Sequence, residues 1–115
     1  MSPTPADLAE AFSRHRFDVV HPHLADDVRW EIVGDRELLG RDAVIAACDA
    51  TTAGLAGVRT VFQDFRVAAG DGFVVVDSRA EYTGDDEPAA RVASCDVYRF
   101  AGETLVEITS YTVAV

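Results

Sequence analysis

The run Val92-Ala93-Ser94-Cys95-Asp96-Val97-Tyr98-Arg99-Phe100 holds the residues of this chain best suited to chemistry. It reads as a strand, and strand interiors disfavour Asp, whose short carboxylate competes for backbone hydrogen bonds and is costly to bury. Alternation sets Ser94, Asp96, Tyr98 and Phe100 on one face and Ala93, Cys95, Val97 and Arg99 on the other. With the first face turned inward, a carboxyl stands beside a phenol and a hydroxyl in an otherwise apolar cavity, as an acid/base site requires. With that face turned outward, Asp96 is a solvated strand charge. The run alone leaves both readings open.

Other reactive side chains point to less. His21-Pro22-His23 places two imidazoles two residues apart around a proline, which does not converge them on one metal ion. Cys48 and Cys95 lack metal-type spacing and read as reduced core thiols. Asp85-Asp86-Glu87 reads as a solvated turn. The sequence contains no glycine-rich phosphate loop, nucleophile elbow or zinc cluster, so neither a metal nor a cofactor is expected.

Composition narrows the partners. The 115 residues carry a formal charge of −10 and are 49% hydrophobic. A chain of this length forms one domain, here 1–115, that buries roughly two-thirds of its unfolded surface. An acidic surface repels nucleic acid and anionic membranes, and no apolar run approaches the ~20 residues that span a bilayer. Met1-Ser2-Pro3-Thr4-Pro5 has no signal-peptide character, and two lone cysteines fit a reducing compartment, so a cytoplasmic protein is expected.

The elements that must position Asp96 can be read along the chain. Thr4 is a good N-cap, with Pro5 at the first helical position and Leu8, Phe12 and His15 on the expected buried stripe. A short second helix is expected over Asp18 to Leu24, distorted by Pro22. Val28 to Val33 reads as a strand with Trp30 and Ile32 on one side. A third helix is expected from Arg41 to Thr52, with Val44, Cys48 and Thr51 at helical spacing. Four strands follow, Val58 to Ala69, Phe73 to Thr83, Arg91 to Ala101 and Thr104 to Val115. Turns at Gly70-Asp71-Gly72, Gly84 to Pro88 and Ala101-Gly102-Glu103 separate them. Helices in front and a meander behind imply α+β, with helices covering one face of an antiparallel sheet.

Leu24-Ala25-Asp26-Asp27-Val28-Arg29-Trp30 enters the first strand and Leu39-Gly40-Arg41-Asp42-Ala43-Val44 enters the third helix. Cys95-Asp96-Val97-Tyr98-Arg99-Phe100 precedes the final hairpin. In their order and spacing these segments resemble the nuclear-transport-factor-2-like superfamily, and within it the SnoaL-like branch of polyketide-cyclase and ketosteroid-isomerase relatives. The resemblance implies a cone-shaped antiparallel sheet of about six strands wrapped on three helices, a cystatin-like α+β barrel. The isomerase register would turn Trp30, Ile32, Val76, Ser78, Ala80 and Tyr82 toward the cavity, together with Ser94, Asp96, Tyr98, Ile108, Ser110 and Thr112.

In ketosteroid isomerases the Asp matching Asp96 stays protonated and donates a hydrogen bond to the developing enolate oxygen. Here the position of the isomerase base reads Ile32 and that of its helix-one tyrosine reads Leu8, so that proton shuttle is not expected. Epoxide-hydrolase relatives need an Asp on the last strand, and this one has none. The resemblance leaves a cofactor-independent cyclase or isomerase working on a carbonyl-bearing hydrophobic molecule. Asp96 and Tyr98 would be catalytic, and Phe12, Trp30, Ile32, Ser78, Tyr82, Ser94, Ile108, Ser110 and Thr112 would bind substrate. The alternatives are a binding protein without turnover and a structural dimerisation module. A homodimer through the outer sheet face is expected, with Val97, Tyr111 and Val113 as apolar anchors and Arg79, Glu81, Arg99 and Glu107 as charged pairs.

Overall fold

The structure, a computed structural model, describes residues 3–115. The first helix, α1 (Pro5–Ser13), starts at Thr4 as the sequence predicts. The Thr4 side chain accepts from the Asp7 N–H at 3.1 Å, and Asp7 accepts from the Thr4 N–H at 2.9 Å, a reciprocal capping box. Its stripe of Leu8, Ala9 and Phe12 is buried. The second helix, α2 (Phe17–Val20), is only four residues long, because Pro22 forces the chain into a 3-10 turn over His21–His23. The third, α3 (Arg41–Gly54), runs two residues further than expected.

Six strands form one sheet: β1 (Leu24–Ile32), β2 (Arg36–Leu39), β3 (Arg59–Gly70), β4 (Phe73–Thr83), β5 (Ala90–Ala101) and β6 (Thr104–Ala114). Their order is β2-β1-β6-β5-β4-β3. The hairpins β3–β4, β4–β5 and β5–β6 follow the predicted turns, with Gly72 supplying the left-handed φ of 75° at the first. Two features differ from expectation. The short strand β2 pairs with β1 and has no clear apolar alternation of its own. The all-antiparallel expectation also needs correcting at one seam, because β1 lies parallel to β6, making the sheet mixed. The helices precede the meander, so the chain returns to β1's edge only after the whole sheet is laid down, and that closure runs in the same direction as β1.

Alternation decides what lies beneath the helices. Val74, Val76, Tyr98, Leu105 and Ile108 face inward and are buried with Leu8, Phe12, Val20, Val28 and Val44. Phe12 sits at the centre, packed edge-on against Phe17, Trp30 and Tyr98 with ring centroids 4.9, 5.1 and 5.8 Å away. Such pairs contribute about 0.5–1.5 kcal/mol each beyond area burial. Among the described residues no helix is long and apolar enough to cross a membrane.

Candidate acid/base site in the cone

Pairing across the sheet places side chains in rows. Val76, Asp96, Ser110 and Ile32 form one row across β4, β5, β6 and β1. Val74, Tyr98, Ile108 and Trp30 form the row on one side of it, and Ser78, Ser94 and Thr112 the row on the other. Sheet and helices enclose a cavity of about 280 Å³. Asp96 opens onto it with Ser110 and Ile32, as do the hydroxyls of Ser78, Ser94 and Thr112. Trp30, Tyr82 and Phe12 complete the predicted lining. Tyr98 and Ile108 face the same way but are entirely buried behind the wall, deeper in the cone than the cavity reaches.

The Asp96 carboxyl is held by neutral groups alone. Ser13, the last residue of α1, donates to Asp96 Oδ2 at 3.0 Å. Its oxygen lies 2.6 Å from the Tyr98 hydroxyl. Since the single Ser13 hydrogen goes to Asp96, Tyr98 is the donor in that contact. On the other side Trp30 Nε1 donates to Ser110 Oγ at 3.0 Å. An indole N–H can only donate, so the Ser110 hydrogen is free, and Ser110 stands directly across the β5–β6 ladder from Asp96. One relay, Tyr98 to Ser13, therefore ends on the carboxyl as acceptor, and a second hydroxyl, Ser110 held by Trp30, flanks it.

Opposing effects set its protonation. Burial raises the Asp96 pKa, while the hydroxyls of Ser110, Ser13 and Tyr98 favour the carboxylate and pull it back; burial wins. Burial, then the Asp96 charge, push the Tyr82 and Tyr98 phenols up, so both stay protonated donors. Burial alone lowers the His15 pKa. Cys48 is pushed up to about 12 by burial and by Asp49, which leaves it an inert core thiol. No group of three or more His, Cys, Asp or Glu converges as metal ligands among the described residues.

Sequence reasoning missed Ser13, His15, Phe17, Thr51, Phe62 and Val92 as cavity residues. Ser13 follows Phe12 on the buried stripe, and a polar residue ending such a stripe was the available signal. Thr51 continues the Val44–Cys48 helical spacing, which does not distinguish cavity from core. Phe62 faces inward only because β3 breaks register between Gln63 and Arg66, and no residue pattern announces that bulge.

The whole architecture has close counterparts among solved structures. An NTF2-like protein of unknown function from Cytophaga hutchinsonii superposes with a TM-score of 0.82 at 27% identity, covering 92% of this chain and 93% of that one. An epoxide hydrolase of the LEH-like type from M. tuberculosis gives 0.70 at 18% identity, over 95% and 82% of the two chains. A candidate polyketide cyclase from Xanthomonas campestris gives 0.68 at 19% identity, over 90% and 83%. No curated protein matches the chain. The last two likenesses concern the fold alone, but residues 6–108 also match the SnoaL-like domain in sequence, and the chain belongs to that family.

Proposed function

We propose that this protein is a small cofactor-independent cyclase or isomerase that moves protons on a carbonyl-bearing hydrophobic molecule, with Asp96 as the proton-transfer group. The observation that carries this reading is a lone carboxyl opening onto an apolar cavity and braced only by neutral donors. Because Ser13 donates to it and the Ser110 hydroxyl stands beside it, Asp96 is built to act first as a base. Burial makes it a stronger base than an ordinary surface carboxylate. It would take the proton from a carbon next to the carbonyl. The C–H electron pair then moves into the enolate, whose oxygen the Ser78–Ser94–Thr112 row or Tyr82 can meet. In isomerisation the proton returns from Asp96 to carbon; in cyclisation the enolate carbon attacks a second carbonyl, whose π pair moves to its oxygen, and Asp96 gives its proton to that oxygen. Tyr98 is sealed behind the wall and serves by holding Ser13.

The direct test is exchange of the α-protons of 2-tetralone into D2O, followed by NMR. Wild type should accelerate exchange over buffer, and Asp96→Asn should return it to the buffer rate. Equal rates for wild type and the variant would remove Asp96 from the chemistry. A second reading, binding without turnover, is favoured by the cavity's having a single carboxyl; it predicts 2-tetralone binding unchanged by Asp96→Asn with no exchange in either protein.

The net charge of −10 supports an apolar small molecule over nucleic acid or an anionic membrane as partner. The free thiols of Cys48 and Cys95 support a cytoplasmic setting. A homodimer through the outer sheet face fits the exposed Tyr111 and Val113 beside Cys95 and Ala93 on β5. Sedimentation at micromolar concentration should then give twice the chain mass, and a monomer would remove the dimer.

A further inference from the structure

His15 stands where a helix end ordinarily takes glycine. Its φ is 64°, its N–H bonds back to the Phe12 carbonyl at 3.0 Å, and the Arg16 N–H reaches the Ala11 carbonyl at 2.8 Å. A residue with a Cβ is disfavoured in this left-handed conformation. What it gains is position. The imidazole lies stacked over Tyr82 with centroids 6.2 Å apart and 18° between planes, beside Phe17 at 5.5 Å and with Phe62 edge-on at 5.4 Å. Rings hold its faces, yet among the described residues its nitrogens make no hydrogen bond to the protein, and neither is sealed away from solvent. The ring lines the cavity, and burial keeps it neutral, with one nitrogen lone pair unused.

Its place along the sheet differs from that of Asp96. Val76 pairs with Asp96, whereas Phe62 pairs with Ala80, and Tyr82 lies six residues along β4 from Val76. On that stretch of wall the Thr51 hydroxyl donates to the Ala47 carbonyl at 3.0 Å, the Tyr82 hydroxyl offers its hydrogen, and the imidazole nitrogen is the strong acceptor. We propose that His15 determines which ligands the cavity takes, by accepting a hydrogen bond from a ring hydroxyl at the end of the ligand remote from Asp96. The ligand class is then a flat, hydroxylated ring compound packed against Phe62 and Tyr82. The inference rests on the reading of the cavity as a ligand site, but not on turnover.

The test compares 2-naphthol with 2-methoxynaphthalene, which keeps the rings and lacks the hydroxyl hydrogen, by fluorescence titration. Wild type should bind 2-naphthol about tenfold more tightly, the value of one good hydrogen bond. His15→Phe keeps a ring and removes the nitrogens; it should bind both probes alike, with 2-methoxynaphthalene within about twofold of wild type. His15→Gly, which relieves the backbone, should also lose the preference while melting cooperatively, so the outcome does not depend on one variant folding. Asp96→Asn should retain the preference. The proposal is overturned if wild type binds neither probe or shows no preference. It is equally overturned if the preference survives both His15 variants, or if Asp96→Asn abolishes it. Failure of 2-tetralone exchange with the naphthol preference intact would remove the enzymatic reading and leave His15 in place; the reverse pattern would do the opposite.

Discussion

The two faces of β5 are built from alternate residues of one strand, and they treat charge in opposite ways. On the outer face Arg99 lies 3.5 Å from Glu107, and at the strand's start Arg91 pairs with Glu81 at 3.0 Å, all in contact with water. Such pairs contribute little, because water solvates each partner nearly as well as the pair. On the inner face Asp96 has no cation, only hydroxyls that are themselves braced by Tyr98 and Trp30. There the carboxyl is largely withdrawn from water, so each hydrogen bond matters and it is held above its ordinary pKa. A charge that water surrounds is structurally cheap and chemically ordinary. One that the protein must solvate by itself is costly and poised for proton transfer.

The largest contrast should appear in stability. Tyr98→Ala empties a fully buried site and should cost about 3–5 kcal/mol, whereas its outward neighbour in Arg99→Ala should cost less than about 0.5 kcal/mol. Urea unfolding of both variants checks this, and similar losses would mean that the two faces are not so different. Ser13→Ala comes next. It strands the Tyr98 hydroxyl and removes a donor from Asp96, for an expected loss of about 1–3 kcal/mol. It should also move the Asp96 pKa further up, which NMR titration of the carboxyl carbon would detect. An unmoved pKa would show that Ser13 does not hold the carboxylate.

The smallest effect is the pH dependence. The folded Asp96 pKa lies above its ordinary value of 3.8, so the unfolded chain releases this proton first. Its contribution is full below 3.8 and is lost as pH rises through the folded value. His15 has the opposite sign: its folded pKa lies below 6.5, and its contribution is full above 6.5 and lost as pH falls through the folded value. Asp96→Asn should therefore gain on wild type as pH rises from 3.8, and His15→Phe should gain as pH falls below 6.5. Melting curves across that range check both signs. A flat difference for Asp96→Asn would mean that Asp96 is solvated like the outer charges.

Period-two alternation made legible which residues share a face, and the resemblance to the isomerase register supplied which face is inward, for Trp30, Ser78, Asp96 and Ser110 alike. The Thr4 cap, the Pro22 break and the hairpin turns were equally local, since each depends on residues within a few positions. The parallel seam between β1 and β6 was not legible, nor was the short strand β2, because pairing partners distant in sequence leave no local mark. The site divided along the same line. Asp96 declared itself as a carboxylate in a strand, while Ser13 and His15 became site residues only when α1 was laid across β4 and β5. By itself the sequence determined which residues share a face and where elements begin and end, because backbone sterics and capping act over a few residues. Only the tertiary structure decided which hydroxyls brace the carboxyl and that Tyr98 is sealed beneath it, because burial and hydrogen bonding depend on what the rest of the chain brings into contact.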